Sequence, residues 1–307
     1  MSNNNASKTK KKSWNETLFI ICCISIPIIH WLIFYVYANA SSFLMAFTDS
    51  QGNLSFANFT RFYKEMTSPN TTLRLAFRNT FLTFGIQLAT FPFKVLVSYF
   101  IYKKVPGYGI YRVLFFLPSI LFSVCTAMMF TRVIGVNGFI AQWVGEWLDL
   151  GMTPELLADS RFANTVVLLE MLWLGFPGDL IIWGGTFARI PEELLEAGIM
   201  DGTNWWTEFT KIIVPVVWPT VGLQMVLLFC GVFGASGSVF LLTGGDYGTM
   251  TISAWQYITL LDSSGSRYTS NVYNYLSAVG LVMTVIAITL SLVIRKYADK
   301  IFDEVEF

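Results

Sequence analysis

Glu196-Ala197-Gly198-Ile199-Met200-Asp201-Gly202, followed at a fixed distance by Ile212, Val214 and Pro215, is the stretch that decides how this chain is read. It is polar, yet it stands between two long apolar runs. Pro191 suits the first position of a helix, where no N–H is needed. Glu192, Glu193 and Glu196 then fall in the first turns, where the positive end of the helix dipole favours carboxylates. Leu194, Leu195 and Ile199 supply an apolar face, and Gly202 permits a sharp exit. Trp205, Trp206 and Phe209 would anchor the returning segment at a membrane surface. Pro215 and Pro219 shape the start of the next apolar run. An ordinary amphipathic interfacial helix accounts for this composition, but not for the full spacing from Glu196 to Pro215.

The surroundings are those of a membrane protein. The chain of 307 residues is 54% hydrophobic and 16% aromatic, and only 13% of it is charged, against about 25% in soluble domains. The net charge of zero gives no hint of nucleic acid as a partner. Cys22, Cys23, Cys125 and Cys230 all fall in apolar runs without a C-x-x-C pair, and His30 is the single histidine. A histidine-rich metal site is thereby excluded, and the cysteines read as small residues buried in lipid.

Six apolar runs reach the length of about 20 residues that a helix needs to cross a bilayer. They are placed at 17–40, 79–102, 110–134, 164–187, 212–242 and 275–295, with a tilt or break expected in the long fifth one. The fold class is therefore an all-α membrane protein with a transmembrane domain over 14–300 and a cytoplasmic loop at 188–211. With the N-terminus inside, twelve Lys and Arg residues lie on the cytoplasmic side and seven outside. That bias puts both termini and the Glu196 loop in the cytoplasm. Residues 1–13 and 301–307 read as tails. Ala38-Asn39-Ala40 imitates a signal-peptidase site, but the apolar run before it is longer than a signal core. Outside, Phe59, Phe62, Tyr63 and Met66 stand at helical spacing and predict a short amphipathic helix ended by Pro69-Asn70.

The Glu196–Pro215 pattern resembles the EAA loop of ATP-binding-cassette (ABC) importer permeases, with Gly198 in place of the third-position Ala and Val214 in place of Leu. The resemblance extends to Arg78-Asn79-Thr80, to Tyr111-Arg112-Val113-Leu114-Phe115-Phe116-Leu117-Pro118, to Trp173-Leu174-Gly175-Phe176-Pro177 and to Leu241-Leu242-Thr243-Gly244-Gly245. Together these are similar to the carbohydrate-uptake, maltose-type branch. The resemblance implies one permease subunit of an importer in a prokaryotic cell membrane. It implies a second homologous permease, two cytoplasmic ATPase subunits and an extracytoplasmic solute-binding protein as partners. The helix from Pro191 to Gly202 would be the coupling element, with Glu192, Glu193, Glu196, Ala197, Gly198, Asp201, Gly202 and Pro215 as its marked positions and Glu196 as the contact to a partner Arg or Lys. The chain has no G-x-x-x-x-G-K-[ST] loop. ATP and Mg are therefore assigned to the partner ATPases, with no cofactor in this chain.

Polar groups inside a span cost about 2.5–3.5 kcal/mol each on insertion scales and are functional candidates by default. Span four carries Glu170 and Asp179 on either side of Gly175-Phe176-Pro177-Gly178, where a helix break is expected. Pairing with a cation such as Lys94 is the alternative role for these carboxylates. Span five offers Gln224, Phe229, Phe233, Ser236 and Ser238 for a polyhydroxylated ligand, and span three offers Ser119 and Ser123 on one face. By resemblance, the pathway lining comprises Ser119, Ser123, Met171, Leu174, Gly175, Gly178, Leu228, Val232 and Ala235. A central cavity near Ser123, Glu170, Gly175 and Ser236 is the expected substrate site. An ABC permease for a non-sugar solute and an ATP-independent carrier or membrane enzyme are the rival classes.

Overall fold

The computed structural model describes residues 14–49, 51–149, 151–234, 237–263 and 269–301. The predicted tail 1–13 and positions 302–307 of the second tail lie outside the described residues, as do Ala235 and Ser236. Apart from one isolated bridge between Thr48 and Leu54, the regular structure among the described residues is helical. Among the described residues, six helical stretches are long and apolar enough to cross a membrane.

The first membrane-length rod joins α1 (Trp14–Trp31), a π-helical stretch (Leu32–Tyr37) and α2 (Ala38–Ala46). The predicted amphipathic helix is α3 (Ala57–Thr67). Its Phe62 and Met66 pack on a buried cluster that includes Leu73, Phe77, Tyr275 and Met283. Asn70 turns the chain at φ 65°, and Thr71 caps α4 (Thr72–Tyr102) by accepting the Arg74 N–H. This helix starts about two turns before the predicted edge at 79, because Leu73, Ala76 and Phe77 are buried and find partners there.

The predicted third span is two helices, α5 (Tyr108–Ile120) and α6 (Ser123–Ile134), separated by extended backbone at Leu121 and Phe122. Pro118 withholds an N–H in the last turn of α5, which weakens the helix where the chain departs from it. α6 and the following α7 (Phe139–Trp147) make up the third membrane-length stretch, Ser123–Trp147, where the sequence predicts an unbroken helix over 110–134. The fourth, α8 (Ala163–Phe187), leads into α9 (Glu192–Met200). α10 (Trp205–Glu208) passes through a π-helical turn (Phe209–Ile213) into α11 (Val214–Cys230). The break expected in the long fifth span falls at a turn over 231–234, and the helix resumes as α12 (Gly237–Leu242). α13 (Ile252–Ser263) precedes the last long helix, α14 (Thr269–Ile301).

α8 packs against α4 and α5, and α14 packs against α11 and α2. The largest buried cluster joins Phe91, Val95 and Tyr99 of α4, Trp183 and Phe187 of α8, Phe209 and Ile213 of the π-turn, and Val217 and Val221 of α11. In a bilayer such contacts hold helices by close packing rather than by escape from water. The cluster sits at the end of the bundle where α4 and α8 finish, α11 starts and α9 lies between them.

Candidate functional site

Pro191 is the residue before the first turn of α9, with ψ 130°, rather than the first helical residue predicted for it. The residue preceding a proline and the proline's own fixed φ suit an extended entry, and Glu192 and Glu193 occupy the first turn. At the other end Gly202 adopts φ 69°. Its N–H reaches Ile199 O at 3.0 Å, and the Thr203 N–H reaches Gly198 O at 3.0 Å. These two bonds satisfy carbonyls that the helix end would leave open. The Thr203 hydroxyl adds a third, to Gly198 O at 2.8 Å.

One face of α9 lies on the bundle. Leu195 packs on the large core cluster, and Gly198 is buried. A Cβ at Gly198 would stand 2.8 Å from Ile212 Cδ1, closer than real contacts allow. The glycine in place of the expected alanine therefore lets the helix settle directly on Ile212. Glu192, Glu193, Glu196, Ala197 and Asp201 are all exposed. Ile199, predicted on the apolar inner face, is 63% exposed, and Met200 is 86% exposed. The open face therefore combines carboxylates with two apolar side chains.

Two contacts brace the return segment. Lys103, just past α4, makes an ion pair with Glu208 at 2.6 Å, and the Glu208 side chain is 8% exposed. Phe100 meets Trp205 with ring centroids 5.4 Å apart. The Asn204 side chain caps α10 by accepting the Thr207 N–H at 2.8 Å. Neither Lys103 nor Glu208 stood out in the sequence. A lone acid among Trp205, Trp206 and Phe209 was the available signal.

The break predicted at Gly175-Phe176-Pro177-Gly178 is absent: α8 is continuous through it. Neighbours on both sides hold the helix across the bond that Pro177 cannot make. Phe176 stacks on Phe115 of α5 at 5.0 Å and meets Phe93 of α4 edge-on at 6.2 Å. Asp179 pairs with Lys94 of α4 at 2.8 Å. Glu170 is 1% exposed and has the Ser238 side chain, at the start of α12, as a polar neighbour. Its Oε2 has no hydrogen-bond partner among the described residues.

The predicted pathway residues do not form one wall. Ser119 and Ser123 fall on different helices and are exposed, and the Ser119 hydroxyl bonds back to Phe116 O at 2.8 Å. The helical offset that would have put them on one face is lost at Leu121. Met171, Leu174 and Gly175 are half-buried in α8, and Gly178 is exposed. Gln224 is buried and Leu228 half-buried in α11, while Val232 is buried in the turn that follows. A Cβ at Gly175 would be 3.1 Å from Lys94 Nζ, so the missing side chain makes room for that ammonium group. A cavity of about 590 Å³ lies between α6 and α12, lined by Val124, Ala127, Thr131, Arg132 and Leu241 among others, and contains none of the predicted residues.

Asn79 has a role that its place at the start of a span did not suggest. Its Nδ2 donates to Gly248 O at 2.6 Å and to Met250 O at 2.9 Å. The neighbouring Thr80 hydroxyl accepts the Ile252 N–H at 3.0 Å. The pair fixes the loop after Leu241-Leu242-Thr243-Gly244-Gly245 to α4.

No protein-family model matches the chain. It is 22% identical over 297 residues to the multiple sugar-binding transport system permease protein MsmF of Streptococcus mutans, covering 95% of this chain and 98% of that protein. It is 31% identical over 156 residues to the maltose/maltodextrin transport system permease protein MalF of Vibrio parahaemolyticus, a match that takes in 49% of this chain and spans only 29% of the MalF length. Among solved structures it is similar to a bacterial ABC transporter involved in the import of the acidic polysaccharide alginate, with TM-score 0.77 and 20% identity over 93% of this chain and 97% of that one. A bacterial alginate ABC transporter in complex with an alginate pentasaccharide-bound periplasmic protein matches equally well, at TM-score 0.77 and 19% identity. The chain is thus a multi-pass membrane relative of the sugar ABC transport permeases, and its fold, with six membrane-length stretches among the described residues, is that of an ABC importer permease.

Proposed function

We propose that this chain is a transmembrane subunit of an ATP-driven importer of a sugar or oligosaccharide in a prokaryotic cell membrane, forming half of the translocation pathway. The observation that carries the proposal is α9: a short helix, closed by Gly202 and seated on Ile212, that turns Glu192, Glu193, Glu196, Ile199 and Met200 outward. Such a face suits a groove on a cytoplasmic ATPase, with Glu196 opposite a partner Arg or Lys. The twelve-to-seven distribution of basic residues supports a cytoplasmic α9. MsmF and MalF are named as permeases of sugar systems, which supports the substrate class.

The packing gives α9 a way to act on the spans. It is joined to α8 by a short turn, rests on Ile212, and its return segment is pinned to α4 by Lys103 and Glu208. A push on α9 by closing ATPases is therefore delivered to α4, α8 and α11 together. Those helices then move as a body between inward-open and outward-open packings, which the nucleotide state biases. ATP and Mg belong to the ATPases. A second permease and an extracytoplasmic binding protein complete the assembly; the alginate transporter's crystallised complex with a periplasmic protein supports the latter. Gln224, Leu228, Val232, Ala235 and Ser236, with Glu170, Met171, Leu174, Gly175 and Gly178 of α8 and Ser119 and Ser123, remain the positions assigned to the pathway.

The test is uptake of labelled sugars by proteoliposomes holding this chain with the permease, ATPase and binding protein encoded beside it. ATP-dependent accumulation of a saccharide is expected. Accumulation without ATP, or of an amino acid or ion in place of a saccharide, would overturn the proposal.

A further inference from the structure

A cavity of about 340 Å³ opens where α4 ends, α5 begins and α8 nears its end. Its lining has a basic and an apolar part. Lys104, Tyr108 and Arg112 make up the first; Phe116, one turn on from Arg112 in α5, and Leu180 and Ile181 of α8 make up the second. Lys104 and Arg112 are exposed, and among the described residues neither has an ion-pair partner. The adjacent Lys103 is already taken by Glu208. Lys104 adopts φ 53°, a left-handed conformation that glycine would occupy more easily, and this turns the chain toward α5. The first turn of α5 carries no acidic residue to offset its positive dipole end. Gly184 and Gly185 also line the cavity, and a Cβ on either would meet nothing within 4 Å. Their missing side chains leave the groove open.

We propose that this groove binds the head group of an anionic phospholipid, with a phosphodiester between Lys104 and Arg112 and acyl carbons along Phe116, Leu180 and Ile181. Unpaired cations at a helix-end boundary draw anionic head groups. The apolar part of the lining selects a lipid over a free phosphate, because a soluble anion has nothing to place against Phe116, Leu180 and Ile181. Tyr108 and Tyr102 suit the interface between the two zones. The groove lies at the end of the bundle that carries α9, so its placement in the cytoplasmic leaflet rests on the function proposed above. A lipid held there would tie α5 to α4 and α8 just before the chain enters α9.

Native mass spectrometry of the purified full chain in neutral detergent tests this, using palmitoyl-oleoyl phosphatidylglycerol, the matching phosphatidylcholine and glycerol 3-phosphate as probes. Phosphatidylglycerol should be retained in preference to phosphatidylcholine. Lys104→Gln and Arg112→Gln should each weaken retention about fivefold, the factor that about 1 kcal/mol per basic residue gives. Gly184→Leu should block the groove and lower retention with the charge unchanged, which keeps the test decisive if a charge variant fails to fold. Equal retention of the two lipids, or no effect of all three variants, would overturn the site. Glycerol 3-phosphate competing as well as phosphatidylglycerol would overturn the lipid in favour of a soluble anion. None of these readouts requires transport, so loss of the importer assignment and loss of this site register separately.

Discussion

Lys94 of α4 and Asp179 of α8 meet at 2.8 Å deep within the bundle, and Gly175 leaves room for the ammonium group, which lies 3.1 Å from where a Cβ would stand. The ring of Phe176 is 5.8 Å from the same nitrogen. Removing one partner leaves a largely buried charge alone, at a cost of about 3–5 kcal/mol. Asp179→Asn should therefore lower the melting temperature in detergent sharply. The double variant Lys94→Met with Asp179→Leu should recover most of the loss, because no charge is left unpaired. Gly175→Leu should be destabilising for the same reason, by driving Lys94 from its place. A native melting temperature in Asp179→Asn would show that the pair does not hold α4 to α8.

Glu196→Lys reverses a charge on the open face of α9 without touching a span. On the proposed function, the chain should insert normally while ATPase subunits no longer co-purify with it and uptake falls at least tenfold, the factor that about 1.4 kcal/mol of lost docking energy gives. Normal uptake at normal expression would rule out Glu196 as a docking contact.

Gly202→Ala must hold a left-handed conformation at a cost of about 1–2 kcal/mol. Gly202→Pro loses the positive φ altogether, together with the N–H bond to Ile199 O. Protease sensitivity of the 188–204 segment should rise from glycine to alanine to proline. An equal cleavage rate in all three would contradict the turn described for this residue.

Gly198→Ala brings a methyl group within 2.8 Å of Ile212 Cδ1. The clash falls on the far end of a flexible side chain, so the cost should be modest, about 1–3 kcal/mol as for overpacking elsewhere. Shortening the neighbour should relieve it. Ile212→Val in the Gly198→Ala background is expected to raise the melting temperature, whereas Ile212→Val alone should lower it. The same sign in both backgrounds would mean that the two side chains do not meet.

Asn79→Ala removes two donors from the carbonyls of Gly248 and Met250. Leaving a buried polar group unsatisfied costs about 1–3 kcal/mol. The loop over 243–250 should exchange its amide hydrogens faster while α9 stays protected. Faster exchange throughout the chain would point instead to general unfolding.

What could be read from the sequence follows the range of the forces involved. The helix over Glu192–Met200, its glycine exit and the amphipathic α3 were legible because caps, turns and periodicity are local. Phe115, Phe93 and Lys94 keep α8 straight across Pro177, and no inspection of residues 170–179 alone could weigh them. The split at Leu121 was missed because Leu121-Phe122 are as apolar as a continuous span would be. Glu208 was overlooked because its partner, Lys103, is remote in sequence. Ser119 and Ser123 share a face only on an unbroken helix, and the extended backbone at Leu121 removes that condition.

The turn after Cys230 divides the fifth span between two neighbourhoods. α11 packs chiefly along α14, whereas α12 packs on α6 and α8. Between them the chain is held by short-range bonds, Gly231 N–H to Leu227 O at 2.9 Å and Gly234 N–H to Gly231 O at 2.9 Å. The helix of α11 thus stops at a turn over 231–234. A change in the angle between α11 and α12 bends glycine torsions there and breaks no ladder of backbone bonds over 231–234. A rod unbroken from 212 to 242 would have transmitted every tilt of α11 to the far side of the membrane; this chain has a joint there instead.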